Sequence, residues 1–258
     1  MFGLSVDTDL PIMIGSAATQ IIPEAVATYS SGAVGGPSCG PPCDPKTVNA
    51  FDRPVTGFYS PAAARWSYAP LALGILGPLV VNGIDVGAMH LDNGFRVYFT
   101  DVGVFAEALF VDGALNEIAK FAARRPRPLT YNTAVPIEER TAPDASVSFY
   151  SEHTSLAFTA ATAYSYMFAL RHPRSPWRWV VLGATEAMAA GTAALRVAAG
   201  KHFYSDVLTG AAMGAAVGVT VPLLHVLPKR ATASARGFHV QVMPSPLPNG
   251  AGIFITAY

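Results

Sequence analysis

Long apolar stretches alternate with short polar turns along most of the chain, and this pattern predicts helices that cross a membrane. Four such stretches are residues 68–89, 154–170, 180–195 and 207–227, each with at most one charged residue. Runs approaching 20 apolar residues have the length that a spanning helix needs. We therefore expect an all-α membrane protein.

Residues 96–125 also read as one long helix, although they carry several charges. At 100° per residue, Asp101, Asp112, Asn116 and Lys120 fall on one stripe. A charged stripe on an otherwise apolar helix is expected to face a bundle interior or a watery cavity rather than lipid. The alternative is the ordinary solvated face of a soluble helix.

The ends of the chain are less regular. We expect residues 1–66 to hold an N-terminal helix, a loop with both cysteines and an amphipathic segment. Residues 67–230 form the helical bundle, and residues 231–258 a tail or short β-hairpin around Pro248-Asn249-Gly250. Overall this predicts a single domain.

Composition supports the membrane prediction. Charged residues make up only 13% of the 258 residues, hydrophobic residues make up 51%, and the mean hydropathy is +0.34. Lysine plus arginine and aspartate plus glutamate number 17 each, so net charge gives no indication of a nucleic-acid partner. An Ala/Gly-rich soluble helical protein is the alternative.

Basic residues predict the orientation. Arg171, Arg174 and Arg178 are separated by two spans from Lys229, Arg230 and Arg236. Both groups are therefore expected on one side of the membrane, which the positive-inside rule assigns to the cytoplasm. Residues 120–127, 151–153 and 196–202 then share the outer face with the cysteine loop.

Cys39 and Cys43 stand four positions apart in a Pro/Gly-rich loop. A local disulfide outside the cytosol, two free thiols or half of a metal site all fit this spacing. No Cys/His pair stands at zinc spacing elsewhere in the sequence.

The three polar segments carry candidate chemistry. His202 and Asp206 lie one helical turn apart, and an acid beside an imidazole makes it a better base or nucleophile. Lys120, Arg127 and Arg196 have the charges to surround a tetrahedral anion.

Ser151 stands where a helix N-cap is expected, so its hydroxyl and the backbone N–H groups that follow favour an anion as well. His153 lacks a carboxylate at helical spacing other than its neighbour Glu152, which makes it the better candidate for a proton donor.

At these residues the sequence resembles the type 2 phosphatidic acid phosphatase superfamily, which includes bacterial acid phosphatases and vanadium haloperoxidases. The family pattern is K-x6-R-P, then P-S-G-H, then S-R-x5-H-x3-D. The first part is complete in residues 120–128, the second reads Tyr-Ser-Glu-His in 150–153, and the third begins with leucine in 195–206.

The resemblance implies an all-α, six-helix membrane bundle and a phosphohistidine mechanism without a metal or other cofactor. His202 would attack phosphorus, Asp206 would orient His202, and His153 would protonate the leaving group. The phosphate would be held by the residues of the three motifs, namely Lys120, Arg127, Ser151, Glu152 and Arg196.

Glu152 replaces a glycine of the family pattern. Its carboxylate is expected either to repel a dianion or to turn away and pair with Arg124 or Arg125. Glutamate also resists backbone angles that glycine allows.

The expected function is hydrolysis of a lipid phosphomonoester or pyrophosphate by a multi-pass protein of the bacterial inner membrane, with the site facing the periplasm or exterior. Phosphatidic acid, phosphatidylglycerol phosphate, undecaprenyl pyrophosphate and lipid A phosphate are candidate substrates by resemblance, and the sequence does not choose among them. A vanadium-dependent haloperoxidase, a noncatalytic lipid-phosphate-binding protein and a soluble secreted acid phosphatase are the alternatives.

Overall fold

The computed structural model describes residues 2–29, 36–227, 241–247 and 250–256, with the backbone alone for 22–29 and for the last two segments. Six helices of 20 residues or more dominate these residues and confirm the predicted all-α, six-helix bundle. They are α1 (Asp9–Tyr29), α3 (Tyr68–Ala88), α4 (Gly94–Ala123), α6 (Glu152–Arg171), α7 (Trp177–Ala198) and α8 (Tyr204–Leu224).

Shorter elements fill the connections. They are α2 (Pro61–Trp66), α5 (Ile137–Thr141) and 3-10 helices at Pro45–Thr47, Arg53–Gly57, Pro128–Tyr131 and Pro143–Ser146. The connection between α4 and α6, residues 124–151, therefore contains three of these short helical elements.

The chain divides into two units, Met1–Leu227 and Pro228–Tyr258. In the second unit, β1 (Gln241–Leu247) and β2 (Gly250–Thr256) pair antiparallel, with Gln241 opposite Thr256 and Leu247 opposite Gly250. All the candidate site residues belong to the first unit.

Three helical segments are long and apolar enough to cross a membrane, with window hydropathies of 1.7 for Pro61–Ala88, 1.3 for Trp177–Ala198 and 1.8 for Tyr204–Leu224. Helix α4 is more polar, and the bundle buries its polar stripe. Asp112 and Asn116 are fully buried, and Asp101 and Lys120 are nearly so. The prediction that this stripe faces the bundle interior is confirmed.

Helix α8 lies very close to α6 because α8 presents a stripe of glycines, Gly210, Gly214 and Gly218, to that helix. A Cβ atom at Gly214 would lie 2.2 Å from the carbonyl oxygen of Ser155, and one at Gly210 would lie 2.8 Å from that of Ser151. Small residues at four-residue spacing let two helix backbones approach this closely. The start of α6 is thereby held against the start of α8.

Helix α4 ends where the sequence predicts. Arg124 adopts a left-handed conformation with φ 42° and its N–H donates to the carbonyl of Lys120. Pro126 and Pro128 then prevent the helix from continuing. The chain turns at this point, so Arg125 and Arg127 enter a loop at the end of the bundle.

The order of the helices determines which polar segments lie at each end of the bundle. The ends of α4 and α7 and the starts of α6 and α8 lie together, because hydrogen bonds join the loops that connect them. Helix α6 runs from this end to Arg171, and α7 returns, so Arg174 and Arg178 lie at the opposite end. Lys229, Arg230 and Arg236 lie outside the described residues.

Candidate active site

His202 occupies the short loop between α7 and α8 and is almost completely buried. Its Nδ1 lies 2.8 Å from the carbonyl oxygen of Ser148. Because a carbonyl only accepts, Nδ1 must carry the hydrogen and donate it, which leaves the lone pair of a neutral ring on Nε2. That Nε2 lies 3.5 Å from Nη2 of Arg196.

Burial, followed by the charges of Arg127 and Arg196, lowers the pKa of His202 well below its ordinary value. Burial acts in this direction because it disfavours the charged form, and nearby cations act in the same direction. The imidazole is therefore neutral at physiological pH and can act as a nucleophile through Nε2.

The sequence predicts that Asp206 orients His202 directly, but the two side chains are not hydrogen-bonded to each other in the structure. Asp206 Oδ2 lies 3.9 Å from His202 Nδ1 and instead accepts hydrogen bonds from Ser148 Oγ at 2.5 Å and Phe203 N at 2.9 Å. The carboxylate of Asp206 accepts these hydrogen bonds at the start of α8, and the main-chain carbonyl of Ser148 orients His202 in its place. Asp206 therefore shapes the two segments that flank His202.

Arg125 and Asp52 complete this arrangement, although no pattern in the sequence indicates either role. Arg125 Nη1 donates to Asp206 Oδ1 at 2.6 Å, and Nη2 donates to Asp52 Oδ2 at 2.8 Å. The guanidinium also lies over the ring of Phe203, 4.1 Å from its centroid. Arg125 thus joins the N-terminal segment to the loop that carries His202.

Asp52 is fully buried but well satisfied. Its Oδ1 accepts from Ser205 N at 3.0 Å, and its Oδ2 accepts from Ser205 Oγ at 2.6 Å. Burial alone raises the pKa of Asp52, but the hydrogen bonds from Ser205 and Arg125 outweigh it, and the pKa falls to about 2. Asp52 is therefore a permanent anion in the folded protein at neutral pH.

Lys120 is paired with two carboxylates. Its Nζ donates to Glu117 Oε1 at 2.6 Å and also to Glu152 Oε2. The prediction that Glu152 pairs with Arg124 or Arg125 is therefore wrong. The side chain of Glu152 instead contacts the ammonium of Lys120, which is itself a predicted phosphate ligand. The contact forms because the side chain of Lys120 ends beside the start of α6.

Glu152 does not strain the backbone where the family pattern has glycine. Among the described residues, the non-glycine residues with positive φ are His90 and Arg124. Glu152 is the first residue of α6 with ordinary helical geometry. The substitution therefore alters the charge of the site rather than its fold.

The start of α6 presents Ser151 and His153. Ser151 is fully buried and is the N-cap residue, but its Oγ lies 2.9 Å from Thr154 Oγ1 instead of capping a backbone N–H. The ring of His153 packs edge-on against Tyr68 with centroids 4.8 Å apart. Within the described part of the chain, the buried Nε2 of His153 has no hydrogen-bond partner.

Arg127 and Arg196 are both largely buried. Arg127 Nε donates to the carbonyl of Asp144 at 2.7 Å. Arg196 Nη1 donates to Ser67 Oγ at 3.4 Å, whereas its buried Nε has no partner among the described residues. Each guanidinium therefore retains donors for an anion.

The three segments are tied together by main-chain hydrogen bonds. Leu129 N donates to the carbonyl of Gly200 at 3.0 Å, and Ser151 N donates to that of Asp206 at 3.2 Å. The charges of Lys120, Arg127 and Arg196 are also near enough to act on His153. The structure thus brings all the sequence-predicted site residues of the three motifs to one end of the bundle.

The cysteine loop lies at the same end. Cys39 and Cys43 form a disulfide, and Cys43 N donates to the carbonyl of Thr130 at 3.1 Å. Thr130 in turn donates to the carbonyl of Arg127. The disulfide loop therefore supports the segment that positions this arginine.

Two histidines and three cations converge at this end of the bundle, and among the described residues His153 Nε2 and Arg196 Nε have no hydrogen-bond partner. This arrangement is suited to a tetrahedral anion. A neutral imidazole with a free nitrogen supplies a nucleophile, and a second imidazole with an unbonded nitrogen supplies a site for proton transfer.

Two solved structures with a similar fold are a transmembrane PAP2-type phosphatidylglycerolphosphate phosphatase from Bacillus subtilis and LpxE from Aquifex aeolicus. The first has 18% identity and a TM-score of 0.48, with 84% of this chain and 94% of the other covered. The second has 22% identity and a TM-score of 0.44, with 66% and 90% covered.

No curated protein matches the chain. The family model of the PAP2 superfamily matches residues 101–229, which is half of the chain and includes all three motifs. This protein is a member of the PAP2 superfamily.

Proposed function

We propose that this membrane protein hydrolyses the phosphomonoester or pyrophosphate of a lipid through a phosphohistidine intermediate. Membership of the PAP2 superfamily supports phosphatase chemistry, and the apolar helices support a substrate that lies in a membrane. The residues of the three motifs carry the proposed mechanism.

The observation that carries the proposal is the state of His202. Its Nδ1–H is committed to the carbonyl of Ser148, so Nε2 is left as the reactive nitrogen. The depressed pKa keeps that nitrogen unprotonated. Arg196 lies 3.5 Å from it, where a guanidinium can hold an oxygen of the phosphate under attack.

In the first step, His202 Nε2 forms a bond to phosphorus while the bond from phosphorus to the leaving oxygen breaks. Burial, followed by the charge of Arg196, lowers the pKa of His153 in the free protein to about 3, so His153 takes up a proton when the phosphate dianion binds and offsets the nearby cations. Its Nε2, which is buried and unbonded among the described residues, donates that proton to the leaving oxygen, so the lipid alcohol or lipid phosphate leaves neutralised. His153 then accepts a proton from water, whose oxygen attacks phosphorus. The bond to His202 breaks, and inorganic phosphate is released.

The cations stabilise the charge that develops on the nonbridging oxygens. Arginine offers a fixed fork of donors and lysine a compact charge, and both act strongly where water is excluded. Arg127, Arg196 and Lys120 take these roles in the proposal, and the N–H groups at the start of α6 add to them. The Ser151 hydroxyl is a further donor once it turns from Thr154.

The site is proposed to face away from the cytoplasm. Arg174 and Arg178 lie at the opposite end of the bundle, and positive loops favour the cytoplasmic side. A disulfide in the loop beside Arg127 also suits an oxidising compartment. The lipid would then be dephosphorylated on the outer leaflet, at the periplasmic face of an inner membrane.

The test is release of inorganic phosphate by the purified protein from a panel of phosphatidic acid, phosphatidylglycerol phosphate, undecaprenyl pyrophosphate and a soluble phosphomonoester. We expect His202→Gln to lose at least 1,000-fold in kcat, because the nucleophile is absent. His90→Asn is the matched control, because His90 is exposed and lies outside the motifs.

Rapid quenching with a 32P-labelled substrate tests the intermediate. Wild type is expected to carry an acid-labile, base-stable label that His202→Gln lacks. Equal phosphate release by the two proteins, or label on another residue, would overturn the proposed nucleophile.

A further inference from the structure

Three side chains outside the candidate active site converge from three different helices. Asp9 is the first residue of α1, Glu107 lies in the middle of α4, and His225 directly follows α8. His225 Nε2 lies 3.2 Å from Glu107 Oε2 and 3.5 Å from Asp9 Oδ2. We propose that these three groups bind a divalent transition-metal ion, with zinc as the ion that the donor set suits best.

The hydrogen bond that fixes the tautomer of His225 gives the first reason. Its Nδ1 lies 2.8 Å from the carbonyl of Val221, so Nδ1 carries a hydrogen and donates it. In the neutral ring, the lone pair of Nε2 then points at two carboxylates, which also present only lone pairs. A cation between them removes this conflict.

Glu107 gives the second reason. It is 3% exposed, and within the described residues its Oε2 has no hydrogen-bond partner. A buried carboxylate oxygen without a partner is costly. The same oxygen is the one that faces His225, so it is aimed at the proposed ion.

The distances suit a small tetrahedral ion. Zinc binds imidazole nitrogen and carboxylate oxygen at about 2.0–2.2 Å, so two of its tetrahedral ligands lie about 3.3–3.5 Å apart. The separations from Nε2 to the two carboxylates, 3.2 and 3.5 Å, match this value. The three ligand atoms all lie within 4.8 Å of one another.

The surroundings also have the form that metal ligands take. A ligating histidine usually donates its second N–H to a carbonyl or carboxylate, and His225 does so to Val221. Asp9 is oriented by Thr8 Oγ1 at 2.8 Å and by Ser5 N at 2.5 Å. Imidazole with carboxylates favours zinc over magnesium or calcium, which prefer oxygen ligands alone.

This metal site is distinct from the phosphate site and independent of the proposed function. Glu107 lies 13 residues before Lys120 on α4, which corresponds to about 20 Å along a helix. The ion would tie the start of α1 to the middle of α4 and the end of α8. Its role would be structural, namely to hold the N-terminal helix against the bundle.

The experiment uses the full chain, purified in detergent with a tag that lacks histidine. The protein is incubated with zinc chloride, passed through a desalting column, and assayed for zinc per chain by mass spectrometry. We expect about one zinc per wild-type chain and at least fivefold less for Glu107→Gln and His225→Ala.

Two control variants isolate the cluster. His172→Ala removes an imidazole that lies 2.8 Å from the carboxylate of Asp85, and His239→Ala removes a histidine beyond α8. Both are expected to keep the wild-type zinc content.

Stability and spectroscopy provide readouts that do not depend on a single variant. Zinc is expected to raise the Tm of wild type and of both controls but not that of Glu107→Gln. Cobalt is expected to give visible d–d absorption bands with wild type and with both controls, but not with Glu107→Gln. A wild-type protein that keeps no zinc, or a Glu107→Gln protein that keeps as much, would overturn the proposal in favour of a protonated His225 paired with two acids.

Discussion

The ammonium of Lys120 is bonded to the carboxylate of Glu152, the residue that separates the candidate phosphate ligand Ser151 from the candidate acid His153. Glu117 contacts the same ammonium at 2.6 Å. Lys120 is thus shared by two anions before any substrate binds, and a phosphate dianion must compete with Glu152 for it. This relationship determines how the site is expected to respond to substitution.

Glu152→Gln is expected to strengthen the binding of a phosphate dianion. It removes a negative charge from the site and frees a donor of Lys120. A hydrogen bond to a charged group is worth about 1.5–3 kcal/mol, so we expect the KM for the best lipid phosphate to fall about tenfold. Steady-state kinetics and the inhibition constant of vanadate measure the effect.

Glu138→Gln is the matched control for that experiment, because Glu138 is an exposed glutamate of α5. A protein that gains turnover only as Glu152→Gly would favour a noncatalytic natural function. A Glu152→Gln protein with an unchanged KM would show that Glu152 moves aside at no cost.

Arg127→Gln is expected to shift the acid limb of the kcat/KM profile to higher pH. Arg127 is one of the groups that lower the pKa of His202, so its removal raises that pKa and the nucleophile becomes protonated at a higher pH. Wild type, in contrast, is expected to retain a neutral His202 well below pH 6.5. Arg65→Gln, an exposed arginine of α2, is the control.

Arg125→Gln is expected to destabilise the fold by about 3–5 kcal/mol, because it leaves two buried carboxylates, Asp52 and Asp206, without their cation. Thermal unfolding in detergent measures the loss. Arg124→Gln removes the exposed neighbouring charge and is expected to change stability by less than about 0.5 kcal/mol. Similar losses in both variants would contradict the bridging role of Arg125.

The stabilisation by Asp52 is expected to depend on pH. Its pKa in the fold, about 2, lies below the ordinary 3.8, so the folded state favours the ionised form. The contribution is complete above about pH 4 and is lost as the pH falls towards 2. Asp52→Asn should therefore lower the Tm at pH 7 and lower it less at pH 3, while the exposed Asp92→Asn serves as control.

Gly214→Ala is expected to separate α6 from α8, because its Cβ would lie 2.2 Å from a backbone oxygen. Overpacking of this kind costs about 1–3 kcal/mol, and the two histidines would move apart, so kcat should fall as well. Gly183→Ala is the control, since nothing lies within 4 Å of a Cβ there. Alanine at that exposed helical position is expected to raise the Tm slightly.

Much of the fold could be predicted from the sequence, because apolar length and charge spacing act locally. The predicted helix of residues 96–125 is Gly94–Ala123 in the structure, and its charged stripe is buried as expected. The convergence of the three motifs also followed, because two intervening spans return the chain to the same end of the bundle.

The finer contacts of the site could not be predicted in the same way. Asp52 lies 73 residues from Arg125 in sequence, and no spacing pattern relates them. The acceptor for His202 is a main-chain carbonyl of Ser148, which side-chain identities do not reveal. The partner of Glu152 depends on where the long side chain of Lys120 ends, and only the tertiary structure decides that.

The carbonyl of Ser148 has one further consequence for the catalyst. An amide oxygen neither ionises nor disappears when its own side chain is replaced, so the tautomer of the imidazole is secured across the whole pH range. Neither acidity nor replacement of the Ser148 side chain removes this hydrogen-bond acceptor. Only a displacement of the polypeptide backbone at position 148 would release the ring.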